Sequence, residues 1–120
     1  MFRPCYNLAW FHGIVSVVLN DEMADLIAKA IDDHPTKTNT LTALSADLKG
    51  QETEIEVEES LTEPSYDYSY FFGKTTLTIN RPAAKEIANA ILDTKERLNG
   101  ALYALARELD NFANYEREAA

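Results

Sequence analysis

Cysteine, histidine and long apolar runs are all scarce in this 120-residue sequence. The single cysteine, Cys5, can close no internal disulfide and supply no thiolate cluster, so neither an oxidising compartment nor a sulfur-bound metal is implied. The two histidines are far apart: His12 falls in a tight turn and His34 at a helix end. There is no pair of Cys or His at metal-ligand spacing, no HExxH, no nucleophile elbow and no glycine loop to cradle phosphate. Asp32-Asp33-His34 has ligand chemistry, but consecutive residues of a helix point in different directions. A chain that is not an enzyme, with no metal and no cofactor, is expected. The longest mainly apolar run, residues 14–19, is far too short to span a bilayer, and the N-terminus lacks a basic region followed by a signal-type apolar stretch. The expectation is a cytoplasmic protein without membrane contact.

Neutrality is scarce in total but not locally. The formal net charge is −9, yet residues 1–50 carry four Lys/Arg against six Asp/Glu, and residues 66–120 carry seven against eight. The other six negative charges are Glu52, Glu54, Glu56, Glu58, Glu59 and Glu63, in a connecting stretch with no basic residue. There Ile55 and Val57 alternate with Glu54, Glu56 and Glu58, which reads as a fifth strand with one acidic face. Such a face opposes edge-to-edge aggregation, or attracts a basic partner because six carboxylates in one segment concentrate the field.

What the sequence does have is a repeat. YNLAWFHGIVSVVLN lies sixty positions before YDYSYFFGKTTLTIN, and at that offset residues 4–33 and 64–93 share eleven identities in thirty ungapped pairs. Beyond Asp33 the match continues with a one-residue shift that sets Leu41, Leu44 and Leu48 against Leu102, Leu105 and Leu109. The pattern reads as a tandem duplication. One domain, 1–120, is expected, built from units 4–50 and 64–120 joined by the acidic strand or linker 51–63, since half-size units bury too little apolar surface alone.

Each unit opens as a hairpin, because two residues, His12-Gly13 or Phe72-Gly73, separate two β-prone runs. Pairing across the turns sets Phe11 against Ile14, Trp10 against Val15, Leu8 against Val17 and Tyr6 against Leu19. The second hairpin sets Tyr70 against Thr75, Tyr68 against Leu77 and Tyr66 against Ile79. Apart from Phe11 and Ile14, alternation puts these aromatic and aliphatic pairs on one face and Asn7, Ala9, Ser16, Val18, Asp67, Ser69, Thr76 and Thr78 on the other. Tyr6, Trp10, Tyr66 and Tyr70 are thus expected beneath helices, and the opposite face is flat with Phe11 and Phe71 as apolar anchors.

Helices follow both hairpins, announced by Asn20-Asp21 and by Asn80 with Pro82 in the first turn. The first should run to about His34-Pro35 and bury Met23, Leu26, Ile27, Ala30 and Ile31. A shorter one near residues 39–49 should bury Leu41, Leu44 and Leu48 and end at Gly50. In the second unit an apolar seam of Ile91, Leu98, Leu102, Leu105, Leu109 and Phe112 continues without proline. It implies a long C-terminal helix that either bends at Asn99-Gly100 or projects. A projecting helix of roughly 50 Å, at about 1.5 Å per residue, would outreach a domain this small and make Leu98, Leu102, Leu105, Leu109 and Phe112 a homo-oligomer contact.

The segment TTLTINRPAAKEIANAILDTKERLNGALYALARELDNF, echoed by VSVVLNDEMADLIAKAIDD, resembles a ribbon-helix-helix DNA-binding unit. That resemblance implies a strand paired with the strand of a second unit, and Thr76, Thr78 and Asn80 on a face that reads the major groove. Basic residues to hold phosphates are scarce around both strands, so a nucleic acid partner is not the first expectation.

The expected fold is therefore α+β: a duplicated β-hairpin–helix unit, its antiparallel sheet covered on one face by helices, with a long C-terminal helix. The expected function is a protein-binding regulator or inhibitor of a basic partner, of the kind phages and mobile elements use as antagonists, contacting it through Phe11, Phe71, Glu54, Glu56 and Glu58. Two alternatives stand beside it: a small-molecule or nucleotide binder with an aromatic pocket of Trp10, Tyr66, Tyr68 and Tyr70, and the DNA-binding regulator the resemblance implies.

Overall fold

The computed structural model describes residues 3–11, 13–35, 38–51, 62–93 and 100–114. Two hairpins form as the turn residues dictate: β1 (Tyr6–Phe11) with β2 (Ile14–Asn20), and β3 (Tyr66–Phe71) with β4 (Lys74–Asn80). Their registers are those the two-residue turns require, Tyr6 opposite Leu19 and Tyr66 opposite Ile79. Gly73, with φ of 79°, supplies the left-handed backbone of the second turn, but the residue before it, Phe72, is also left-handed at 49°. β2 and β4 pair antiparallel at the centre and complete one four-stranded antiparallel sheet of order β1-β2-β4-β3.

The central register sets Val17 opposite Leu77, Ser16 opposite Thr78 and Val18 opposite Thr76. Val17 and Leu77 are sixty positions apart, so the two inner strands cross at the pair aligned by the sixty-residue offset, and Ser16 and Val18 on either side face Thr78 and Thr76. On one side of the sheet Val15, Val17, Leu19, Thr75, Leu77 and Ile79 are buried. On the other, Ser16, Val18, Thr76 and Thr78 are half-buried and Asn7, Ala9, Asp67 and Ser69 exposed.

Four helices complete the described chain: α1 (Asp21–Asp33), α2 (Asn39–Leu48), α3 (Arg81–Leu92) and α4 (Gly100–Asn114). α1 and α3 bury the same stripe, Met23, Ala24, Ile27, Ala28, Ala30 and Ile31 against Ala83, Ala84, Ile87, Ala88, Ala90 and Ile91. Leu26, expected inside, is only partly buried, because Ala24 and Ala28 allow the helix to approach the sheet through its small residues instead. α2 ends in a left-handed cap: the N–H of Gly50 bonds to the Asp47 carbonyl at 3.0 Å and that of Gln51 to Ala46 at 2.8 Å.

The long C-terminal helix is corrected. α3 stops at Leu92 and α4 starts afresh at Gly100, packing back along α3. The apolar seam is the reason: turned back, Leu102, Leu105, Leu109 and Phe112 are 5% exposed or less and join the core of their own chain. The expected fifth strand, with Glu54, Glu56 and Glu58, lies outside the described residues, as does Leu98.

Candidate functional site

Two asparagines set the frame on which the exposed surfaces sit. The side-chain oxygen of Asn20 caps α1 by accepting from the Met23 N–H at 3.0 Å and also accepts from the Cys5 N–H at 3.1 Å, while its amide donates to the Arg3 carbonyl at 2.6 Å. Asn80 does the same sixty residues on, with Ala83, Ser65 and Glu63 at 3.0, 3.1 and 2.7 Å. Each ties a helix start to the chain entering its own hairpin, which fixes the angle between helix and sheet.

Two tyrosines tie each half to the other. α4 packs on β1 and α2 on β3. The Tyr6 hydroxyl donates to the Glu108 carboxylate, and the Tyr66 hydroxyl donates to Asp47 at 2.5 Å. Burial first, and then the carboxylate each hydroxyl is bonded to, raises both phenols, that of Tyr6 to about 12 and that of Tyr66 further. Burial likewise raises Tyr68.

Toward the turns the aromatic row comes out into solvent. Tyr6, Tyr66, Leu8 and Tyr68 pack against the core, but Trp10 is 45% and Tyr70 53% exposed. The core expectation therefore holds for Tyr6 and Tyr66 and is corrected for Trp10 and Tyr70, whose rings lie nearer the turns and are about half exposed. Trp10 packs edge-on against Phe112 with ring centroids 5.3 Å apart. The Arg81 guanidinium lies over the same Phe112 ring at 5.3 Å.

On the open side of the sheet four rows run across the strands. The middle two hold Ala9, Ser16, Thr78 and Asp67, then Asn7, Val18, Thr76 and Ser69, so the centre is small and carries a single charge. Phe11 and Phe71 stand at opposite corners, on the two edge strands, roughly 25 Å apart by strand spacing and rise. They are 57% and 71% exposed. Phe72, at the tip of the second turn, is 86% exposed and packs edge-on against Phe71 with centroids 4.2 Å apart. Sequence reasoning passed over Phe72 as a turn residue, although a phenylalanine where a tight turn favours asparagine was the available signal.

A cleft of about 390 Å³ opens on the other side of that turn, lined by Asp21, Ala24, Asp25, Leu48, Lys49, Gly50, Tyr68, Tyr70 and Thr75. Tyr68 and Tyr70 of the expected aromatic pocket are here. Trp10 and Tyr66 are not: Trp10 packs on Phe112 in the other half, and Tyr66 is held by Asp47. The Asp32-Asp33-His34 cluster is dispersed. Asp32 accepts from Ser45 at 2.6 Å and Lys49 at 2.7 Å, whereas His34 contacts Asp93 at 3.2 Å. Among the described residues no group of three or more His, Cys, Asp or Glu could hold a metal ion, and no helix is long and apolar enough to cross a membrane.

Comparison with known proteins gives no relative: no family model, no curated protein and no solved structure matches the chain.

Proposed function

We propose that this chain is a non-enzymatic protein-binding regulator: a tandem duplicate whose helices cover one side of a pseudo-twofold sheet, leaving the other side, with Phe11, Phe71 and Phe72, to a protein partner. One observation carries this reading. A bulky aromatic, Phe72, is held in a left-handed conformation and almost wholly in solvent, packed on an exposed Phe71. Such a residue costs backbone strain and gains no burial within the chain, a combination that belongs to recognition surfaces. The acidic run with Glu54, Glu56 and Glu58 makes a basic partner the natural one, through faster encounter more than tighter final contact.

The ribbon-helix-helix reading gains one point and loses another. β2 and β4 pair antiparallel, each followed by two helices, as the strands of that family do. But β1 and β3 flank them, so the face opposite the helices is four strands wide, whereas the major groove admits a two-stranded ribbon. That width, with Lys74 the one basic residue among strands β1 to β4, favours a protein surface over a nucleic acid.

Affinity capture from native host extract, parent chain against the Phe11→Ala/Phe71→Ala variant, tests the proposal. Loss of a specific protein with the melting temperature unchanged supports it. Equal capture by both chains overturns it, as does unfolding of the variant, which would make these exposed rings part of what holds the fold rather than a contact surface.

A further inference from the structure

The cleft beside the second turn is half of a comparison the chain makes with itself. In α1 and α3 the offset is sixty, so Asp21 and Asp25 correspond to Arg81 and Lys85. In α2 and α4 it is sixty-one, so Leu48 and Lys49 correspond to Leu109 and Asp110, and Gly50-Gln51 to Asn111-Phe112. α4 runs on to Asn114 and drops Phe112, fully buried, between Trp10 and Arg81. α2 is stopped at Leu48 by its Gly50 cap. The space Phe112 fills in one half is therefore open in the other, walled by Tyr70 and Tyr68 where the filled half has Trp10 and Leu8.

Charge is reversed as well. Where the filled half has Arg81 and Lys85, the cleft has Asp21 and Asp25, one helical turn apart and so about 6 Å between side-chain roots on one face of α1. Lys85 is held by Asp110 at 3.2 Å, but Lys49, in the corresponding place, is drawn to Asp32 at 2.7 Å. Among the described residues no hydrogen bond or ion pair engages Asp21 or Asp25. The cleft thus joins apolar and aromatic walls to two carboxylates without an ion pair, the one cation of its described lining, Lys49, being held by Asp32. Its volume stands at the small end of the range for ligand sites, the scale of one long side chain.

We propose that this cleft receives an arginine side chain of the protein partner, its methylene stem on Leu48, Ala24 and Tyr70 and its guanidinium against Asp21 and Asp25. Arginine fits better than lysine because its planar head stacks on a tyrosine ring and forks to carboxylates. A β-carbon placed on Gly73 would lie 4.0 Å from an Asp21 carboxylate oxygen, so the cleft adjoins the turn that carries Phe72. One partner surface can reach both. The inference rests on the protein-binding reading above, but its test needs no partner.

The probe is N-acetyl-arginine methylamide, titrated into the full chain and followed by amide chemical shifts, with the uncharged citrulline analogue as control. Saturable shifts centred on Gly50, Tyr68, Tyr70 and Thr75, at a millimolar dissociation constant, are expected for the arginine compound alone. The Asp21→Asn/Asp25→Asn variant should weaken them at least about tenfold, one charge-assisted contact's worth. Tyr70→Ser, at a half-exposed position, should weaken them with little change in melting temperature. Equal shifts with citrulline, arginine shifts that survive the aspartate changes, or no saturable shift overturn the proposal. Tighter binding of free arginine or a polyamine than of the blocked residue would also overturn it, in favour of a metabolite. Failure here with capture still lost in the Phe11→Ala/Phe71→Ala variant removes the cleft alone. Arginine binding with capture unaffected removes the sheet face alone.

Discussion

At the scale of single residues the molecule depends on a few polar side chains that each do several jobs. Asn80 is 5% exposed and satisfies a helix N–H, a backbone N–H and a carbonyl. Asn80→Ala therefore removes a cap worth about 1 kcal/mol and strands the Ser65 N–H, for a total loss of about 2–4 kcal/mol. The matching Asn20→Ala, whose partners are more exposed, should lose about 1–2 kcal/mol, and urea denaturation of both variants checks the order. The tyrosines make stability fall in alkali. Unfolded, their phenols release protons near the ordinary value of 10.0, while in the fold Tyr6 holds its proton to about 12 and Tyr66 beyond. Above pH 10 the unfolded chain thus binds fewer protons than the native one, so the stabilisation present below pH 10 is lost as pH rises. The parent's melting temperature should drop between pH 10 and 12 more steeply than that of Tyr6→Phe/Tyr66→Phe, and parallel curves would show that these hydroxyls titrate alike in both states.

At the scale of elements the second hairpin carries strain in its turn. Its turn has two consecutive left-handed residues, Phe72 and Gly73, the pattern that Asn-Gly satisfies without strain. Phe72→Asn should raise unfolding free energy by about 1 kcal/mol, read from the urea midpoint, while lowering partner capture. A stabilised variant that captures as well as the parent would mean that the ring is not part of the contact. The helix ends differ for an equally local reason: Gly50 lets the chain leave α2 in a left-handed step, and Asn111, its counterpart, stays helical inside α4. That difference separates a filled half from an open cleft.

At the scale of the whole molecule the outer strand of each hairpin packs against a helix from the other half, β1 against α4 and β3 against α2, and the two inner strands pair with each other. Neither half is complete alone. Fragments 1–56 and 57–120 should each lack a cooperative melt and regain one on mixing, because roughly 60 residues bury too little surface without the exchanged helix. Either fragment folding alone would contradict the exchanged packing. Leu109→Ala should cost about 2–5 kcal/mol as a core cavity, equally at every protein concentration. A loss that grew on dilution would place that leucine at a contact between chains instead.

Much of this was legible in sequence because it is local. The hairpin registers follow from two-residue turns, the helix starts from Asn20 and Asn80, and the end of α2 from Gly50, each decided by a few neighbouring residues. The corner positions of Phe11 and Phe71 follow from strand alternation alone. What only the tertiary structure decided is what depends on distant parts of the chain meeting. Whether Leu102, Leu105, Leu109 and Phe112 faced a second copy or their own core turned on where α3 ends, and the apolar periodicity continues across that point with only Lys95 interrupting it. Tyr70 and Trp10 lie sixty positions apart at matching places in the two hairpins, yet Trp10 rests on Phe112 and Tyr70 borders a cleft, because α4 delivers a ring where α2 has already ended. Asp21 and Asp25 look like a helix's ordinary solvent-facing acids. They become part of a cleft only when α2 stops short beside them, an event twenty-odd residues away that no window of the sequence contains.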